Sequence, residues 1–285
     1  MARSATLLTA LLLALAPAAH SSGALPAASQ AALVYPVDVV SGEHGIVVAD
    51  FKAHALLAID SSGTVSTVAQ GPGTPRTPLY GARAVIEAPD GDGWLVADPG
   101  TFGLYRVAAD GTLSVITTEL DVPQGLARFD DESVLVADAR GGIGAVYRVT
   151  LDGVVTVLAE VPSPKGIAPA GDDGFVVVSY GERSLYRLGR DGAVSVLHEG
   201  APFDFPHDVA VLPDGDFAVT DGYASAVFRV SPAGEVSVLA QGDPLVNPQG
   251  ITVGPDGDLL VADPQAGAVL RVGLDGAVAR WVEAG

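Results

Sequence analysis

Short apolar runs that end on an acidic or hydroxyl residue punctuate this chain at a near-constant interval. IVVAD ends at Asp50, WLVAD at Asp98, VLVAD at Asp138, VVVS at Ser179, FAVTD at Asp221 and LLVAD at Asp263, in steps of 48, 40, 41, 42 and 42 residues. A second landmark recurs in phase at Ser62-Gly63, Asp110-Gly111, Asp152-Gly153, Asp191-Gly192, Ala233-Gly234 and Asp275-Gly276. The last unit, PQGITVGPDGDLLVADPQAGAVLRVGLDGAVARWVEAG, divides into four β-branched and apolar runs separated by Pro-Asp-Gly-Asp, Asp-Pro-Gln-Ala-Gly and Asp-Gly. Runs of that length and composition between turn residues predict strands a, b, c and d of an antiparallel meander. Six such units predict an all-β fold, a six-bladed β-propeller with four antiparallel strands per blade, over residues 36–285.

Strand direction sorts the loops onto two faces. The start of a, the b–c connection and the end of d share one face; the a–b and c–d hairpins share the other. On the second face, the Asp-rich turns from Pro89, Pro213 and Pro255 have the residues tight turns require, and too few oxygen ligands for a calcium loop. Arg106, Arg148, Arg187, Arg229 and Arg271 recur on strand c, and a residue repeated around a ring is expected to be structural, here pairing with the carboxylates that end strand b.

Asymmetry, which chemistry requires, lies at the entry to strand a. This slot reads Val37-Asp38, Arg83-Ala84, Gln124-Gly125, Lys165-Gly166, His207-Asp208 and Gln249-Gly250. With a innermost, the six pairs ring the mouth of a central channel, and Asp38, Arg83, Lys165, His207 and Asp208 make that mouth chemically uneven. Tyr180 and Tyr223 break the repeat nearby, Phe203 and Phe205 precede blade 5, and the insertion QGPGTPRTPLY between blades 1 and 2 is placed to act as a lid. The predicted ligand-binding set is Asp38, Arg83, Lys165, Tyr180, His207, Asp208 and Tyr223. The competing reading makes Asp38 and Asp208 strand-entry turn residues, in the position that Gly250 fills in blade 6.

The pattern Pro-x-Gly/Asp-Ile/Val, Asp-Gly, Val-Ala-Asp, Arg-Val resembles the NHL repeat and, more broadly, the propeller superfamily of senescence-marker protein and gluconolactonase. That superfamily holds lactonases, lyases and interaction modules, so the resemblance implies a fold before a function. PHDVAV and TDGY resemble the peptidyl-hydroxyglycine amidating lyases, which implies a zinc ligand at His207 and a calcium ligand at Asp208. The three-histidine zinc site of those lyases cannot be assembled, because Gln124, Lys165 and Gln249 stand in the other slots. The gluconolactonase metal set of Glu, Asn, Asn and Asp has no counterpart in a chain whose single asparagine is Asn247. A divalent metal such as calcium or zinc would have only Asp38, His207 and Asp208, and the reading from residues alone carries no cofactor. Ser179 lacks the Gly-x-Ser-x-Gly setting of a nucleophile.

Composition narrows the partners. Residues 1–24 open on Met-Ala-Arg and an apolar stretch of about a dozen residues, shorter than the ~20 a membrane span requires, and read as a secretory signal peptide followed by a short linker at 25–35. The expected location is therefore secreted or periplasmic, with no membrane insertion after cleavage. There is no cysteine, so neither disulfides nor a lipidated N-terminal cysteine is available. A formal charge of −19 disfavours nucleic acid. The expectation is a monomeric propeller that binds a small polar molecule or a peptide on its loop face. The alternatives are a metal-dependent lactonase or lyase and a structural interaction module. Each blade is expected to be built from contiguous chain, with the ring closed by apolar packing between blades 1 and 6.

Overall fold

The computed structural model describes residues 31–171 and 174–283. Six sheets of four antiparallel strands follow one another along the chain, each strand paired with its sequence neighbours. The innermost strands are Pro36–Gly42, Ala84–Glu87, Pro123–Arg128, Pro164–Pro169, Pro206–Val211 and Ile251–Val253. The outermost are Val65–Gln70, Leu113–Thr117, Val155–Ala159, Val194–Glu199, Val236–Gln241 and Val278–Glu283. The second strands are apolar on nearly every residue because both of their faces are covered by neighbouring blades. Outer strands alternate, and expose Val115, Val157, Val196 and Val238 outward.

Six apolar clusters hold the ring, one at each seam between blades. The closing seam joins Val39, Val48, Leu57 and Val65 of blade 1 to Leu260, Ala262, Val269 and Val282 of blade 6. Leu33, ahead of the first strand, is fully buried in that seam, and the Ala31 N–H donates to the Val65 carbonyl at 3.0 Å. The ring thus closes by packing, with every blade contiguous in the chain. The expected signal segment and most of the expected linker lie outside the described residues.

Two expectations are corrected. The carboxylates that end strand b do not pair with the strand-c arginines. Asp50, Asp98, Asp138, Asp221 and Asp263 are buried and accept N–H groups from the segment entering strand a or from the b–c turn; Asp221, for example, binds Asp204 N at 2.8 Å, Phe205 N at 2.9 Å and Ala224 N at 3.1 Å. The arginines point to the opposite end of their strand, where Arg106 meets Asp90, Arg148 meets Asp130, Arg229 meets Asp214 and Asp216, and Arg271 meets Asp256 in the a–b turns. The reason is position: the arginine sits near the far end of strand c, alongside the a–b hairpin of its own blade. In the second correction, the insertion between blades 1 and 2 does not reach the channel. Leu79 is fully buried in the seam, and the Tyr80 ring stacks on His54 at 5.0 Å, so the segment is pinned beside blade 1.

Candidate functional site

A central channel of about 740 Å³ runs between the six inner strands. At its loop-face mouth stand the six slot residues predicted from the sequence. The local cause is a register slip between strands a and b where the Pro-x-Gly/Asp motif enters, seen at Pro36/Asp38, Pro123/Gly125, Pro164/Ile167 and Pro206/Asp208. A bulge of this kind re-aims the extra side chain, here toward the axis. The channel's other end is lined by Glu43, His44, Glu87, Asp90 and Arg128, and the His44 N–H donates to Glu87 Oε1 at 2.7 Å.

Inner strands approach closely at the mouth, which accounts for the slot glycines. A Cβ on Gly166 would lie 2.5 Å from the Asp208 Cα, and one on Gly250 would lie 2.5 Å from the Asp38 Cα. The two aspartates use this closeness. Asp38 Oδ2 accepts the Val85 N–H of blade 2 at 2.8 Å, and Asp208 Oδ2 accepts the Ile251 N–H of blade 6 at 3.1 Å. Each carboxyl therefore stitches its blade to the next one. Both the structural and the functional readings of the slot apply to them, because they line the channel as well.

Burial dominates the electrostatics. Asp38 is pushed well above the ordinary carboxylate range by burial and by Asp208, and Asp208 is raised to about 6, chiefly by burial. Lys165, 8% exposed, is held well below the usual lysine range by burial and by Arg83. His207, 4% exposed, is lowered to about 2 by burial, then by Lys165 and Arg83, so it is a neutral imidazole at physiological pH.

Both ring nitrogens of His207 are buried without a hydrogen-bond partner among the described residues. Its ring meets Phe205 edge-on at 5.1 Å, and Nε2 faces the space a side chain on Gly222 would fill, 2.7 Å from that Cβ position. Asn247 Nδ2 borders the same space at 2.8 Å. Gln249 donates to Asn247 Oδ1 at 2.8 Å while its own Oε1 is unpartnered.

The aromatic residues form one wall above the mouth. Phe205 stacks on Tyr223 at 4.6 Å and meets Tyr180 at 5.2 Å, and Lys165 Nζ lies 5.0 Å from the Phe205 ring centre and 5.5 Å from that of Tyr180. Tyr223 is 67% exposed. All seven predicted residues thus gather at one end of the channel, five lining it and two standing over it. Sequence reasoning left out Phe205, Asn247 and Gln249. The signal for Asn247 was its being the chain's single asparagine, immediately before the blade 6 slot.

Residues 203–230, in blade 5, match the NHL repeat. No curated protein matches the chain. Among solved structures, the chain is similar to a catalytically inactive virginiamycin B lyase from Staphylococcus aureus with quinupristin, at 16% identity and TM-score 0.68 over 88% of this chain and 87% of that one. It is also similar to a gluconolactonase from Xanthomonas campestris, at 16% identity and TM-score 0.67 over 84% and 88%. A propeller in a nidogen/laminin complex gives 14% identity and TM-score 0.64 over 85% and 88%. Enzymes and an assembly protein therefore share this fold, and the likeness is one of fold.

The metal that the sequence resemblance implies does not suit the residues present. Asp38 and Asp208 each commit an oxygen to the next blade, and burial disfavours the charged forms that a metal needs. Among the described residues no three His, Cys, Asp or Glu side chains converge in a metal-holding group. The donor set does not fit a divalent ion. Ser179 donates to the Pro162 carbonyl and serves as the cap that Asp provides in the other blades.

Proposed function

We propose that this protein binds a small polar ligand at the loop-face mouth of its channel. The observation that carries the reading is His207, a buried imidazole with no partner at either nitrogen, facing a recess it shares with Asn247 and Gln249. Leaving such atoms unpaired costs about 1–3 kcal/mol each, a cost that a bound molecule with matching donors and acceptors offsets. Lys165, Arg83, Asp38 and Asp208 supply charge around the recess, and Tyr180 with the stacked Phe205–Tyr223 pair supplies aromatic surface beside it, an arrangement of few polar groups in a concave site typical of ligand pockets. The N-terminal apolar segment supports a secreted or periplasmic setting.

A second reading, acid–base catalysis, is favoured by Asp208. A carboxyl titrating near pH 6 beside a depressed lysine suits proton transfer at neutral pH. It agrees with the lactonase or lyase alternative in reaction class while dispensing with the metal. The concave mouth weighs against a purely structural module. A thermal-shift screen of metabolites separates the cases: ligands that stabilise wild type and fail to stabilise His207→Gln support binding at this mouth, and turnover of such a ligand, lost in Asp208→Asn, supports catalysis. Stabilisation that is identical in wild type and His207→Gln contradicts both.

A further inference from the structure

Arg83 of blade 2 and Lys165 of blade 4 line the mouth, with the blade 3 slot between them. Neither forms an ion pair or a hydrogen bond through its side chain to any described residue, whereas Arg106, Arg148, Arg229 and Arg271 all close ion pairs on the other face. Asp208 attracts both cations and Asp38 attracts Arg83, yet neither carboxyl forms an ion pair with them, and each turns Oδ2 to a backbone N–H group, that of Val85 or Ile251. Among the described residues, Lys165 Nζ contacts the faces of Phe205 and Tyr180. Lys165 is thus buried and Arg83 half-buried without an ion-pair partner among the described residues, in a chain of net charge −19 where acidic side chains are abundant. Buried charge is ordinarily paired, so the missing partner is assigned to the ligand.

Resting on the reading of this mouth as a ligand site, we infer that its ligand is a small planar carboxylate, with the anionic group between Lys165 and Arg83, the flat body against Phe205 and Tyr223, and a hydrogen-bonding substituent at His207 and Asn247. A single negative charge fits better than two, since Asp208 stands within electrostatic reach of both cations and Asp38 within reach of Arg83. Neutral His207 offers one N–H and one lone pair, which suits a hydroxyl or amide substituent. The groups facing Lys165 are Arg83, His207 and Asp208 from the inner strands and Tyr180 and Phe205 from the loops. An anion beside Lys165 raises its proton affinity, so binding takes up a proton and weakens as pH rises. Protonation of Asp208 below pH about 6 acts in the same direction.

The test titrates the full-length protein, after removal of any cleaved leader, with benzoate, benzamide, benzylamine and phenyl phosphate. Calorimetry in Hepes and in Tris reads affinity and proton uptake together. Benzoate is expected to bind about tenfold or more tighter than benzamide, with a heat that changes between buffers by the uptake of protons, and benzylamine is expected not to bind. Lys165→Met should bring benzoate and benzamide to the same affinity, and Lys165→Arg should restore the difference; circular dichroism confirms that both fold. Benzamide or benzylamine binding as tightly as benzoate would overturn the carboxylate while leaving the mouth a ligand site. Phenyl phosphate binding more tightly than benzoate would replace carboxylate by phosphate. Absence of binding by all four would overturn both this inference and the ligand-site reading.

Discussion

At the scale of single residues, one cause, burial beside another cation, disfavours the charged forms of both His207 and Lys165. The sign of the consequence for His207 follows from linkage. Its folded pKa of about 2 lies below the unfolded value near 6.5, so the native state binds fewer protons, and the group costs stability as pH falls below about 6.5. His207→Gln, which places in blade 5 the residue of blades 3 and 6, escapes that cost. The variant should therefore gain about 1.4 kcal/mol relative to wild type for each pH unit below 6.5, read by urea denaturation across the acid range. Parallel stability curves would show that His207 is not buried neutral. Asp208 works in the opposite sense: its pKa is raised to about 6, so its contribution is present in acid and is lost as pH rises through about 6. Lys165→Met removes a buried, unpaired cation and should raise stability at neutral pH by about 1 kcal/mol or more while abolishing anion binding, which thermal denaturation checks.

Within a blade, two repeated charged positions divide the work unequally. The aspartate ending strand b is buried and accepts three N–H groups in blade 5, and by holding Phe205 N it also places the aromatic wall of the mouth. Asp221→Ala should cost about 3 kcal/mol or more, since charge-assisted bonds to buried N–H groups are lost together. Arg229→Ala, at a partly exposed ion pair on the other face, should cost about 1 kcal/mol or less. Equal losses in denaturant midpoints would contradict this division. Periodicity made both positions legible as structural, because they recur in phase with the strands. Their partners were not legible, since which end of strand c an arginine occupies depends on register, a property of pairing between strands. The same limit applies at the mouth: the uneven slot could be read from His207, Lys165, Arg83 and the two aspartates, but Gly166 and Gly250 had to be seen against Asp208 and Asp38 before the aspartates' role in joining blades emerged. Phe205 was recorded only as an aromatic preceding blade 5 because its stacking on Tyr223 joins separate loops.

Over the whole molecule, six equivalent apolar seams produce a near-symmetric ring, and the mouth residues are what make one side differ from another. Leu33 has no counterpart that closes another seam, so Leu33→Ala should loosen the junction of blades 1 and 6 and cost about 2–4 kcal/mol, measured by chemical denaturation, without altering the other five seams. The four-stranded blades were predictable in number and order because the repeat is carried by turn residues and strand-end aspartates. The pinned course of the insertion was not, because it depends on Leu79 finding the seam and Tyr80 finding His54. The central claim is that the loop-face mouth, rather than the acidic far end of the channel or the outer strands, receives a ligand. A crystal of the folded chain soaked with a mixed library of neutral, cationic and anionic fragments tests it most directly. The account predicts fragment density at the mouth within hydrogen-bond reach of His207 and Lys165 and against Phe205 and Tyr223; fragments bound elsewhere on the protein, with only water at the mouth, would contradict it.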